Sequence, residues 1–406
     1  MARNFPNFLQ AYMTYASDSF VPDRFHRWVG LSLIAGAVQR KVSLKQDLIH
    51  YFPNIYVMLV SHPKQGKSTA IDRGADLLET MKKEINPNFR IIPTRVTDAA
   101  FIEEMKIVER IPLPQNQNVT IPQSAGYFYA GEASASALQN LYGDFVATLT
   151  AMYDCPKFYR SKTKGNPILV EIENACMNVL AGTTFSYLRE LVNDRTIEGG
   201  FASRLIYVVA PERKIRDGVW ETKKAGPSAE FRDKLLQDLH HINGLIGPVR
   251  VSDGWRRRYE EWQPVFDRYI IDLNSAALES LLTRKDMNLI KVSMLLSISE
   301  SDSLVLEERH FDEALELIDD TYKDARMVLA TSAMADRNSQ RGLTQFIAQT
   351  LKREKKLTRA VLKSKITTYG CDVDRVDKTL DALLQSEWIG FDGEYYHILI
   401  DPDNYL

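Results

Sequence analysis

Ser61-His62-Pro63-Lys64-Gln65-Gly66-Lys67-Ser68-Thr69 decides how this chain is read. The stretch follows the phosphate-loop pattern GxxxxGK[ST], with Ser61 where the first glycine belongs. Such a loop needs a strand ending in a tight turn, backbone N–H groups facing a phosphate, and a helix N-terminus that completes the site. Lys67 is placed to reach the β- and γ-phosphates, and the Ser68 hydroxyl to ligate Mg²⁺. Ser61, Lys64, Gln65, Gly66 and Thr69 form the rest of the cradle. The surroundings agree: Pro53-Asn54 starts a strand, Ile55–Val60 forms it, and the chain from Lys67 enters a helix through Ala75, Leu78 and Met81. ATP with Mg²⁺ is the expected ligand pair.

Outward from the loop, short apolar runs alternate with helical patterns as far as about residue 212. The runs are Arg90–Ile92, Tyr127–Ala130, Asn178–Ala181 and Leu205–Val209. Solid apolar strands separated by helices predict an α/β fold, a parallel sheet covered on both faces. Residues 1–50 read as a helical segment, with Phe25–Val38 starting just after Pro22-Asp23. The core is expected over 51–215, and long amphipathic helices make 216–335 a helical lid. Then come helices over Leu343–Glu354, Thr358–Ile366 and Val373–Glu387 and a hairpin turning at Asp392-Gly393, which predicts a winged helix over 341–406.

The polar stretch Ala335–Gln340 reads as a linker, and charge shifts beside it. Residues 341–370 carry eight bases against Glu354 alone, whereas 371–406 carry nine acids against Arg375 and Lys378. Over all 406 residues the net charge is −2, so a nucleic-acid partner must be met by local basic patches. No apolar run approaches the ~18 residues needed to span a bilayer, and no signal peptide is visible. Cys155, Cys176 and Cys371 are widely spaced and odd in number, which fits a reducing cytosol and no zinc pair.

Three further strand ends carry candidate chemistry. Tyr127–Ala130 leads through Gly131 to Glu132, which reads as the base that orients an attacking water, or else as an acid at the start of an Ala133–Leu141 helix. Gly131 stands where an Asp usually supports the metal. Asn178–Ala181 runs into Thr183 and Thr184, hydroxyls placed to sense a γ-phosphate. Gly199-Gly200-Phe201-Ala202-Ser203-Arg204 puts an arginine just before a buried-type strand, where it can serve as a finger on a transferred phosphoryl group. Between Glu132 and Thr183, the segment 157–167 holds Lys157, Arg160, Lys162 and Lys164 with Phe158 and Tyr159, and Ile168–Ile172 reads as a returning strand. Bases neutralise phosphates and aromatics stack on nucleobases, so Arg160, Lys162 and Lys164 are candidate DNA contacts. His240-His241 reads as a surface pair.

Taken in order, these pieces resemble AAA+ ATPases, and within them minichromosome-maintenance-type and phage or plasmid replicative helicases. Ser203-Arg204-Leu205 is close to the Ser-Arg-Phe context of the finger in that group. Leu282-Thr283-Arg284-Lys285-Asp286-Met287-Asn288-Leu289-Ile290-Lys291 looks like its second-sensor helix, which makes Arg284 or Lys291 the sensor. The resemblance implies an ATP-driven motor on single-stranded or forked DNA, a homo-oligomer (a hexamer in that group), a basic hairpin projecting into the pore, and a separate primase. The location it implies is the cytoplasm of a bacterial or phage-infected cell. Two readings stand beside it: a helicase loader or DNA-remodelling ATPase that does not unwind, and a DNA-binding adaptor with a degenerate nucleotide site.

Overall fold

The computed structural model describes residues 3–17, 20–84, 86–106, 108–113, 116–133, 144–161, 170–191, 199–210, 227–272, 279–280, 282–333, 340–368, 373–385 and 387–399. They form two compact units, one of 1–184 with 194–325 and one of 185–193 with 326–406.

The first unit is α/β, built on five parallel strands: β1 (Tyr56–Ser61), β2 (Ile91–Ile92), β3 (Asn116–Ala130), β4 (Ala175–Thr183) and β5 (Leu205–Ala210). Their order is β5-β1-β4-β3-β2. Every residue of β1, β4 and β5 is buried, as expected of strands covered on both faces. The strand leading to Glu132 is therefore not a neighbour of the loop strand, because β4 lies between them. Val60 pairs with Thr183 on one side and Val209 on the other, and Ala130 pairs with Ala181. The ends of β1, β4 and β3 thus come level.

The N-terminal segment is built into this unit. Helix Asp23–Val38 packs on the sheet, on Lys67–Glu84 and on the helices Ala229–Asn243 and Lys285–Glu300. It is apolar on nearly every side because it has neighbours on nearly every side. The Ser32 hydroxyl meets Tyr127 Oη at 2.8 Å across that contact. Two of the later helices start on serine caps: Ser228 accepts from Phe231 N–H and Ser252 from Trp255 N–H. Absent from the sequence pattern is a ribbon in which Glu109–Leu113 pairs antiparallel with the first half of β3. Pro112, Pro122 and the Asn-Gln run at 115–118 conceal its β character.

In the second unit, helices Gln340–Glu354, Arg359–Thr368 and Val373–Gln385 close over Leu343, Ile347, Leu362, Ile366, Val376 and Leu380. A three-stranded antiparallel sheet completes it, with Tyr395–Ile398 between Leu357–Thr358 and Ile389–Phe391. Its hairpin reverses at Asp392-Gly393: Gly393 has φ +100, and the Asp392 carboxylate accepts from the N–H groups of Glu394 and Tyr395. Among the described residues no helix is long and apolar enough to cross a membrane.

Candidate functional site

The loop between β1 and helix Lys67–Glu84 turns through two left-handed residues, Lys64 at φ 65 and Gly66 at φ 83. Alternating handedness of this kind points successive N–H groups into one concavity. Gly66 is required twice over, since a Cβ there would also lie 2.6 Å from Val21 Cγ2. Ser61 is not among the left-handed residues, so the turn is made without a first glycine. Across the loop, His62 N–H donates to Gln65 Oε1 at 3.0 Å. The Nε2 of that amide is buried with no partner among the described residues.

Lys67 curls back into this concavity. Its ammonium donates to Ser61 O at 3.0 Å, Ser61 Oγ at 3.1 Å and His62 O at 3.0 Å. Burial pushes its pKa down to about 8, against the pull of the Glu132 carboxylate. The exposed Ser68 hydroxyl donates to Gly131 O at 3.1 Å, tying the helix start to the end of β3. Gly182 lets β4 fit between them, because a Cβ at 182 would stand 2.6 Å from that same Gly131 oxygen. Next to it Thr183 is buried, with its hydroxyl 3.5 Å from Thr184 O, a long and weak contact. Glu132 is exposed immediately beyond Gly131. Lys67, Ser68, Glu132 and Thr183 therefore share one mouth at three level strand ends.

This mouth suits a magnesium nucleotide. Among the described residues no group of three or more His, Cys, Asp or Glu is arranged to hold a metal by itself. Mg²⁺ is satisfied with fewer protein ligands, keeping several waters and taking phosphate oxygens. Ser68 Oγ is the protein oxygen in place for it.

The remaining expected contacts fall elsewhere. Leu205 pairs with Tyr56, the first residue of β1, so Arg204 stands at the opposite edge of the sheet, roughly 20 Å of strand from the loop. It is buried there, donating to Gly200 O at 2.7 Å and to Asp154 Oδ2 at 2.6 Å. Arg284 reaches the other oxygen of Asp154 at 3.2 Å. Both guanidiniums lie over the Tyr153 ring, 5.7 and 5.5 Å from its centre. Lys291 sits 3.9 Å above the same ring and donates to Asn54 Oδ1 at 2.9 Å, its pKa pushed down to about 8 by burial. Neither sensor candidate faces its own chain's loop, because their segment packs under the strand starts. Asp154, Tyr153 and Asn54, which organise that edge, carry no motif by which the sequence could have revealed them.

The basic segment begins as expected. Phe158–Ser161 pairs antiparallel with Val170–Glu173, and Arg160 bonds Glu171 at 2.5 Å. Phe158 is half-exposed beneath Lys157 and Arg160, 5.4 and 5.6 Å from its centre. Lys162 and Lys164 lie outside the described residues, as does most of the expected Ala133–Leu141 helix. His241 pairs with Asp302 at 2.7 Å. No family model matches the chain, and the curated proteins hold no significant match to it.

Proposed function

We propose that this chain is an ATP-hydrolysing motor of AAA+ type that moves on DNA, a replicative helicase of phage or plasmid kind. The observation that carries the reading is the convergence of Lys67, Ser68, Glu132 and Thr183 on one mouth at adjacent strand ends. On nucleotide entry, Lys67 exchanges the oxygens of Ser61 and His62 for those of the β- and γ-phosphates. Glu132 takes a proton from the attacking water, and Thr183 lends a hydroxyl to the γ-phosphate. Mg²⁺, when bound through Ser68, supplies charge neutralisation between those phosphates. Arg204 is too far from its own loop to act there, so its finger role would be played in trans, by exchanging Asp154 for the nucleotide of a neighbouring copy in an oligomer.

The helices and hairpin of the second unit support a winged helix that serves assembly rather than base reading. The bases of 341–370 are met in part by acids of the following segment: Arg359 and Lys363 both bond Asp377, at 2.9 and 2.6 Å, and Lys356 bonds Asp392 at 2.9 Å. DNA binding falls instead to the 158–173 hairpin. The test is ATPase activity with and without DNA, together with strand displacement on a forked duplex. DNA-stimulated turnover with displacement is expected, and turnover without displacement would make this a loader or remodeller. Replacing Lys162 and Lys164 by Ala should leave basal ATPase intact and lower unwinding. It should also flatten the log–log salt slope of DNA binding by roughly 0.7–0.9 for each phosphate no longer neutralised. An unchanged slope would take the hairpin off the track.

A further inference from the structure

Gly131 stands where phosphate-loop enzymes commonly place a carboxylate, and the packing there is tight against Ser68. A Cβ at 131 would lie 3.2 Å from both Cβ and Oγ of Ser68, whose hydroxyl is bonded to the Gly131 carbonyl. A side chain at 131 would push on Ser68, whose hydroxyl is proposed to hold the metal, by a few tenths of an ångström. With glycine at 131, an acid for this site comes from another element.

We infer that Asp72 supplies it, as a positioning residue that holds the water shell of a Mg²⁺ bound through Ser68. Asp72 lies one turn beyond Ser68 on helix Lys67–Glu84. Side chains four apart are neighbours, about 5–6 Å between Cβ atoms. Helical side chains also lean toward the N-terminus, which carries the Asp72 carboxylate back over the Ser68 turn. The same face follows the end of β3: Ser68 touches Gly131, and Glu79 accepts from Tyr129 Oη at 3.1 Å. Asp72 lies between these two tethers, near enough for its charge to be felt at Tyr129.

The neighbouring acids of this helix are already engaged. Asp76 is held by Arg232 at 2.6 Å and Glu79 by Tyr129. Asp72 has neither a hydrogen bond nor an ion pair among the described residues, and partial desolvation pushes its carboxyl above the usual range. Independently, the loop one turn ahead holds the buried, unpartnered Nε2 of Gln65, a donor that lacks an acceptor until an anion enters. Facing a hydrated cation, Asp72 would accept hydrogen bonds from its waters, as outer-shell carboxylates do.

The inference rests on the proposed nucleotide site, and the experiment separates the two. Binding of a fluorescent ATP analogue to the full chain is titrated with Mg²⁺ and repeated in EDTA, for the wild type, Asp72→Asn, Asp76→Asn and Lys67→Ala. Asp72→Asn should keep the EDTA affinity and raise the Mg²⁺ half-saturation by roughly 10–100-fold, the usual effect of removing such a partner. Asp76→Asn should change neither. An unshifted half-saturation in Asp72→Asn overturns the role of Asp72 and leaves the nucleotide site standing. Wild type that binds no better than Lys67→Ala overturns the site itself. Asp72→Ser carries the same expectation, and both variants should melt with the wild type because Asp72 is exposed and unpaired among the described residues.

Discussion

At the starts of the core strands, Asp154 is shared by Arg204 and Arg284, Lys291 is held by Asn54 and by the face of Tyr153, and Tyr153 Oη reaches Asn288 at 2.8 Å. At the ends of the same strands, Lys67 has only the oxygens of its own loop, Gln65 Nε2 has no partner among the described residues, and Glu132 and Ser68 face solvent. Each edge holds a buried lysine bonded to nearby oxygens, and the edges differ in what surrounds it: paired arginines and Asp154 at the starts, an unpartnered amide and exposed Glu132 and Ser68 at the ends. Buried charge is tolerable where a partner is built in, and it waits for a ligand where one is not. The pattern of partners, rather than the number of charges, separates a structural edge from a binding edge. It favours the strand ends for the nucleotide, and a finger role for Arg204 would require it to leave Asp154 and Gly200 O for a neighbouring copy.

The largest expected effect tests this division at Arg204, where the proposed trans role and a purely structural one part company. Finger arginines supplied in trans are worth roughly 10³–10⁵ in rate, and Arg204→Ala should lose turnover on that scale while keeping nucleotide binding. Mixing Arg204→Ala with Lys67→Ala subunits should restore part of the activity, at interfaces where an intact loop meets an intact finger. A mixture shown to co-assemble, yet still inactive, would leave Arg204 as nothing more than a clamp on Asp154. The next effect is at the binding edge. Glu132→Gln should cost about 10²–10⁴ in turnover, the range of a general base, with ATP affinity retained. A normal rate would return Glu132 to the part of an acid at a helix start.

The core sheet was legible because its strands are solid apolar runs: Ile55–Val60, Asn178–Ala181 and Leu205–Val209 all map onto observed strands, the first of them beginning one residue early. The loop was legible because lysine, glycine and hydroxyl sit at fixed spacing. What could not be read was strand order, which periodicity does not encode. Nor does periodicity say where a later helix docks, so Arg284 and Lys291 could be imagined beside Lys67 when they belong under the other edge. The burial of helix Asp23–Val38 was hidden for a similar reason: an all-round apolar helix says that it is covered, and not by what. Asp72 escaped notice because its meaning depends on the end of β3 lying against the first turn of helix Lys67–Glu84, where Ser68 bonds Gly131 O.

The smallest expected effect probes the satisfied edge directly. Lys291 is buried, and burial lowers its pKa from the ordinary 10.5 to about 8. Between those two values the unfolded chain binds more protons than the folded one, so this group makes stability rise with pH. The slope approaches about 1.4 kcal/mol per pH unit, and below pH 8 the penalty is constant. Lys291→Met fills similar volume without the charge and should remove one proton's worth of that slope. It leaves Asn54 Oδ1 short of a donor, a loss of about 1–3 kcal/mol that offsets relief from the buried charge near neutrality. Lys41, also pushed down to about 8 by burial and donating to Asn243 O at 2.5 Å, keeps its own share of the slope in the variant. Urea unfolding at about pH 7, 8, 9 and 10 without nucleotide measures the difference. Equal slopes in the two proteins would mean that Lys291 stays charged and hydrated in the folded state, and the strand-start edge would then be the open one.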